Sequence, residues 1–299
     1  MDTVCVNLLL RKSLKAPLLL PDLAKHGAAA NGYAFMIYHS ISGDLNFELD
    51  LPVALFRRQM EFLARAGCVI SYDKAVAALH SKNAPAQNVF ILTFDDGFAN
   101  FYKNVFPVLK EFHIPATLFV TTGFVEDGIA YSIQRHRDHA EAKPVTWEML
   151  GEMAQSKLVT LGAHTHTHPN LTEQSQDQAI EELAKPKALF RERLGLEVRH
   201  FAYPKALWNP AVEKWVTEYY ATAVISGGRK ATPEHFNPHR IPRIPIRRSD
   251  GWFFFRAKTR GWLAGEEALY VRLRKLHLNK SQDRKMKDRK MAFGIMPGK

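Results

Sequence analysis

Cysteine is nearly missing from this chain of 299 residues. Cys5 and Cys68 form no CxxC pair, which excludes a disulfide framework and a cysteine-built zinc site. Such sparse use leaves the redox compartment open, with a lean to the cytoplasm. Long apolar runs are missing too: none approaches the roughly 20 residues that span a bilayer. Near the N-terminus, Leu8-Leu9-Leu10 and Leu18-Leu19-Leu20 are split by Arg11-Lys12 and end at Pro21-Asp22. Charges inside the apolar stretch make a poor secretory signal. Residues 1–32 read as a short arm, whose leucines and lysines also suit a membrane surface. The expected location is cytoplasmic, at the inner face of the membrane. Internal repeats, zinc-finger spacing and a basic zipper are absent as well.

Acidic charge is scarce at one end. The formal net charge is +11, and residues 256–299 hold thirteen Lys/Arg against four Asp/Glu. Residues 276–299 read as a solvated, disordered basic tail. A basic C-terminal region also suits peripheral contact with an anionic membrane or an anionic glycan. The tail lacks the interleaved aromatics of a single-strand platform, so no nucleic acid is expected.

What is present is an ordinary globular composition, 46% hydrophobic and 24% charged. Strand-type runs alternate with helical patterns, which predicts an α/β fold with a parallel sheet or barrel. Strands are expected at 34–38, 89–93, 116–120, 158–161, 198–203, 221–225 and 244–246. Helices are expected at 52–67, 74–79, 102–112, 146–153, 175–194 and 210–220, with Pro186 kinking or splitting the fifth. The polar stretch 125–144 reads as a rim or lid loop. The catalytic body is expected to span 33–275.

Two strings carry the chemistry. Thr93-Phe94-Asp95-Asp96-Gly97 closes one apolar run, and His164-Thr165-His166-Thr167-His168 closes another. Polar groups at buried strand ends are where α/β enzymes place their sites. An extended backbone would put all three histidines on one side; a turn after His164 would select His164 and His168. Adjacent aspartates reach one site only if the strand ends there, which Gly97 permits. One can then ligate a cation while the other takes a proton from water. Two histidines, a carboxylate and water form an open catalytic site, of a kind that accepts zinc and, by affinity order, cobalt or nickel.

Further strings occur in order: Tyr38-His39-Ser40, Pro115-Ala116-Thr117-Leu118-Phe119-Val120, Val145-Thr146-Trp147, Phe201-Ala202-Tyr203-Pro204 and Pro242-Arg243-Ile244. Over residues 34–246 the chain resembles the polysaccharide deacetylase family, carbohydrate esterase family four. The likeness is to the subgroup with the Phe-Ala-Tyr-Pro string, which serves exopolysaccharide or cell-envelope glycan assembly. The resemblance implies a distorted, incomplete (β/α) barrel of about seven parallel strands. It implies metal-dependent removal of N-acetyl groups from an amino sugar of a glycan or glycan precursor. Asp95 would be the general base; Asp96, His164 and His168 would hold a divalent metal, with zinc first; His166 falls on a variable position. A backbone N–H at Lys205 would hold the oxyanion.

The chain departs from the pattern in places. Relatives place Tyr-Gly after that string, where Lys205-Ala206 stand here; Lys205 would meet an anionic substrate group or be solvated. Ala202 replaces an arginine that fixes the base, and Arg243 is the candidate substitute. The late Leu-x-x-His motif of the catalytic acid is missing: His235 and His239 lie in the right region without it, and His39 ranks first. Tyr203 and Trp208 are expected to bind substrate, and Trp147 could stack on a sugar. Two other readings stay open: an amide or formamide hydrolase on the same scaffold, or a catalytically weak glycan- or membrane-binding homologue.

Overall fold

Apolar runs without polar alternation become strands covered on both faces, as parallel sheets require. In the computed structural model, which describes residues 11–13, 15–20, 31–45, 47–128, 142–267 and 269, β1 (Tyr33–Tyr38) is buried along its whole length. A small parallel ladder follows, β2 (Ser40–Ser42) with β3 (Asp50–Pro52), which no sequence pattern predicts. Asp50 organises it, accepting from the Ser40 hydroxyl and from the Ser42 and Leu45 amides. Helix α1 (Val53–Ala66) buries Phe56, Met60 and Leu63 on one face and stops where Gly67 turns left-handed at φ 65°. Helix α2 (Tyr72–His80) is capped by the Ser71 hydroxyl.

Strand β4 (Val89–Phe94) carries the aspartate pair at its end. The helix expected over 102–112 divides into a wide π turn at Phe101–Val105 and α3 (Phe106–Phe112). Pro107, in the first turn of α3, brings no N–H to continue a regular ladder from the preceding turn. After β5 (Ala116–Val120) comes an unexpected short helix, α4 (Thr122–Asp127). Much of the predicted rim loop, 129–141, lies outside the described residues. Helix α5 (Trp147–Gln155) is capped by Thr146, as its sequence predicts.

Strand β6 (Val159–Ala163) leads to the histidine string and then to α6 (Gln176–Leu194). Of the two outcomes expected at Pro186, splitting does not occur, and α6 runs on as one helix; a Ser175–Gln178 capping box and Gly195 hold its ends. Then come β7 (His200–Ala202), α7 (Pro210–Tyr219), β8 (Thr222–Ser226), β9 (Ile241–Pro245) and α8 (Gly251–Thr259). The last strand starts three residues before its predicted position, because its two prolines disguise it as a non-strand.

Seven strands close an all-parallel barrel in the order β1-β4-β5-β6-β7-β8-β9, with β9 returning to β1. The fold is the expected (β/α) barrel. Alternation along the strands sorts the core. Met36, Leu92, Leu118, Leu161, Phe201, Ala223 and Ile244 belong to the cluster shared with the helices. Phe35, Ile91, Phe119, Ala202, Val224 and Ile241 form the second cluster, inside the barrel. Gly162 makes room there: a Cβ on it would lie 2.6 Å from the Phe119 ring. By the same alternation Thr93 and Arg243 belong to the interior face, and both are buried.

The described part of the N-terminal arm packs on the barrel body. Leu19 joins Phe254, Ala257 and Leu263 in an apolar cluster. Lys15 is buried, its ammonium 2.5 Å from Asp250 and 3.1 Å from Glu266. Lys258 lies 2.8 Å from both of those carboxylates, and Arg247 lies 2.5 Å from Glu267. Among the described residues, no helix is long and apolar enough to cross a membrane. The predicted basic tail, 276–299, lies outside them.

Candidate metal centre

Strand ends converge at the C-terminal mouth of the barrel. Tyr38 is in register with Phe94, so His39 and Asp95 leave their strands at one level. Asp95 donates its amide to the Tyr38 carbonyl and marks the end of β4. The next two residues are left-handed, Asp96 at φ 75° and Gly97 at φ 89°. That turn breaks the alternation which would have sent the two carboxylates to opposite faces. Aspartate tolerates such a conformation better than most residues, and glycine adopts it freely. A Cβ on Gly97 would also come within 3.2 Å of Val120.

The histidine string turns as well. His164 continues β6 and donates its amide to Val120. Thr165 and His168 are both left-handed, at φ 62° and 59°. The Thr165 hydroxyl accepts the His168 amide. Glu182, reaching over from α6, accepts the His166 and Thr167 amides at 2.8 Å each and the Thr167 hydroxyl at 2.6 Å. Sequence reading missed this role, because nothing local links an acid in a helix to a loop fifteen or so residues earlier.

The result is a buried trio, Asp96, His164 and His168, whose ligand atoms all lie within 4.8 Å of one another. The two histidine Nε2 atoms are 3.8 and 3.7 Å from Asp96 Oδ1. Those gaps exceed a hydrogen bond. Ligands about 2.0–2.1 Å from a tetrahedral zinc stand about 3.4 Å apart, so a small contraction would seat one. The His164 Nδ1 donates to the Ala202 carbonyl at 2.8 Å, which turns Nε2 inward with its lone pair available. The donor set, two imidazoles and one carboxylate, fits a divalent transition metal. His166 points elsewhere, its Nδ1 3.0 Å from the Thr122 hydroxyl.

Asp95 sits beside the trio in a different bond network. Arg243 grips it with two parallel bonds of 2.7 Å, and Arg243 Nη1 also donates to Thr93 at 3.2 Å. Arg243 is 1% exposed and its guanidinium lies 5.5 Å from the Phe119 ring centroid. Burial alone would raise the Asp95 carboxyl; Arg243 and His164 outweigh it and hold Asp95 at about 2. Burial lowers His39 to about 4, helped by Arg243 and Arg247 against the pull of Asp95. Burial also lowers His164, and lowers His168 well below the usual histidine value with help from His164 and Lys205. All three imidazoles are neutral at pH 7, the state a metal needs.

This predicts an acid limb for the metal-free protein. The unfolded chain protonates these histidines near 6.5, the folded one only at lower pH. Below 6.5 the unfolded state therefore binds more protons, and stability should fall as pH drops from about 6.5 towards 4. Thermal melts across that range, with chelator present, should show the slope, and His39→Gln should flatten it.

The remaining predicted residues are dispersed, and His235 and His239 stand before β9, at the end of the barrel opposite the mouth. Lys205 and Ala206 are both left-handed, at φ 56° and 55°, a strained pair of the kind that functional loops retain. The Ala206 and Leu207 amides are spent on the Tyr203 and Pro204 carbonyls within that turn. Tyr203 is 1% exposed and packs edge-on against Phe201, so its ring belongs to the core rather than the surface. Trp208 is partly buried with the Arg240 guanidinium 4.5 Å over its ring, which takes one face. Trp147 packs against Phe190 and donates to Glu126. His235 lies on a surface turn beside Thr232, and His239 is tied to the Tyr220 carbonyl.

A closed parallel barrel with an acid–histidine centre at its C-terminal mouth defines a (β/α)-barrel protein with a candidate metal site. Residues 82–224 match the model of the polysaccharide deacetylase family, which bears out the likeness to the family over that stretch and not the subgroup. Two relatives are named poly-beta-1,6-N-acetyl-D-glucosamine N-deacetylase. One, from Staphylococcus aureus (strain MRSA252), is 28% identical over 54% of this chain and 55% of its own. The other, from Escherichia coli (strain K12), is 26% identical over 48% of this chain and 22% of its own. The chain thus spans about half or less of the length of these curated relatives. In fold it is similar to a Streptococcus pyogenes deacetylase, PplD, solved in complex with acetate. That likeness has a TM-score of 0.63 and 24% identity, and covers 74% of this chain and 94% of the other.

Proposed function

We propose that this protein is a metal-dependent hydrolase that removes N-acetyl groups from an amino sugar of a glycan or its precursor. The observation that carries the reading is the pairing of two carboxylates with separate surroundings at one mouth. Asp96 faces two neutral histidines, while Asp95 is held ionised by Arg243. The named activity of the relatives supports the substrate class.

Asp96, His164 and His168 would hold the metal, zinc in the first instance. When bound, the cation supplies a Lewis acid for the acyl oxygen and eases ionisation of water. Asp95 takes the proton as the water oxygen attacks the amide carbon. Arg243 fixes the orientation of that carboxylate, the role left vacant by Ala202. The backbone amide at Lys205 faces the developing oxyanion. As the C–N bond breaks, the leaving nitrogen needs a proton. His39 starts neutral, so it serves as a relay that is loaded during turnover, and Asp95, a weak base at about 2, passes its proton on readily.

Metal-loaded protein incubated with N-acetylated glucosamine oligomers should yield products lighter by one acetyl group in mass spectrometry. Chelator should stop the loss, and added zinc or cobalt should restore it. No loss from any N-acetyl sugar, with loss from simple amides or formamides, would overturn the reading in favour of the small-amide hydrolase.

A further inference from the structure

Exposed apolar bulk is rare among the described residues. Among the described residues, the exposed large hydrophobic side chains are Leu20 at 64%, Phe253 at 69% and Leu269 at 44%. Leu20 follows Leu19, which packs on Phe254, the neighbour of Phe253. Arm and helix therefore pack together through Leu19, Phe254 and Ala257. The Lys12 ammonium lies beside Gly251 at the start of α8.

The charge at this place is one-sided for a structural reason. Residues 246–269 contain three acids, Asp250, Glu266 and Glu267, and all are buried against Lys15, Arg247 and Lys258. Their negative charge is matched inside the protein. What remains towards solvent is basic: Arg248, Arg256 and Arg260. On α8, Phe253, Arg256 and Arg260 fall at i, i+3 and i+7, one face of the helix and its end. The Arg256 guanidinium stacks 4.2 Å from the Phe62 ring and 5.6 Å from Trp252, and Arg58 stacks 4.2 Å from the other partner, Trp252. Rings hold these guanidinium planes and leave their edges to bind.

The position matters as much as the composition. Pro245 is in register with Ile37, so the chain leaves β9 at the level of His39 and enters α8 a few residues on. The first turn of α8 therefore stands at the catalytic end of the barrel.

We propose that this face of α8, from Phe253 to Arg260, docks on an anionic phospholipid surface. Phe253 enters the boundary of the acyl region, and Arg256, Arg260 and Lys12 meet lipid phosphates. Residues 270–299, with ten Lys/Arg against two Asp/Glu, continue the same sign of charge along the chain. Docked in this way, α8 lies along the surface and the mouth stands at one end of the contact, beside glycan or precursor held at the membrane.

Vesicle co-sedimentation of the full chain tests this without any turnover, so its result is independent of the deacetylase reading. Phosphatidylcholine vesicles with phosphatidylglycerol should bind it, and phosphatidylcholine alone should not. Binding should weaken with salt. Phe253→Ser should cut it about tenfold and Arg260→Gln about fivefold, with unchanged melting temperatures. Lys285→Gln with Lys287→Gln serves as the tail control. The proposal is overturned if anionic vesicles are not bound. It is equally overturned if the tail control abolishes binding while Phe253→Ser leaves it intact. Phe253→Ser acting only by splitting a dimer, seen by light scattering, would assign the patch to a second copy of the chain instead.

Discussion

Asp95→Asn should reduce deacetylation by about a thousandfold, the scale of losing a positioned general base. The substitution keeps the shape of the side chain and leaves Asp96, His164 and His168 in place, so metal content should be unchanged. It also removes the partner of a buried cation. Arg243 is 1% exposed, and stranding it should cost about 3–5 kcal/mol of stability. Loss of activity alone would therefore be ambiguous between chemistry and collapse. The double variant Asp95→Asn with Arg243→Met separates them: it should recover most of the melting temperature and none of the turnover. A glycan-binding protein that had lost catalysis would keep its binding in both. Retention of full turnover by Asp95→Asn would sink the general-base assignment.

The second large effect is expected at His168. Removing one of two imidazoles from a three-ligand set should weaken metal binding by well over the roughly 100-fold seen for outer-shell changes. His168→Ala should then carry no metal after dialysis, by elemental analysis, and should turn over at background. His166→Ala should keep its metal, since His166 faces Thr122. The native protein should also gain about 2.7 kcal/mol of stability at a metal concentration of 100 Kd, and His168→Ala should not. Equal metal content in both variants would remove His168 from the ligand set.

Both expectations trace to features of unequal visibility in the sequence. The aspartate pair and the histidine string stand at the ends of apolar runs, so their convergence on one mouth follows from strand polarity alone. The choice of His164 and His168 over His166 needed the turn, and the turn depends on Thr165 and Glu182. Glu182 is invisible in sequence because its target is loop backbone, which leaves no residue signature. The Asp95–Arg243 pair joins residues 148 apart across the barrel interior, and only strand order and register could bring them together. The motif resemblance named Arg243 as the residue that fixes the base, whereas strand patterning could not, since Pro242 and Pro245 hid the start of β9. Asp96 adds a case of its own: its left-handed backbone, which aspartate tolerates better than most residues, leaves no periodic signal in the sequence.

The closure of the barrel has a bearing on how the chain is made. β1 lies between β4 and β9, so one side of the first strand waits for residues 243–245. At a synthesis rate of about 5–20 residues per second, that edge stays open for roughly ten seconds or more after β1 has emerged. The half-built sheet meanwhile presents two unpaired edges, the hazard that a finished barrel abolishes. Lys15 must wait longer still, because Asp250 and Glu266 are made later. Truncation anywhere before Pro245 should therefore give aggregation rather than a smaller folded unit.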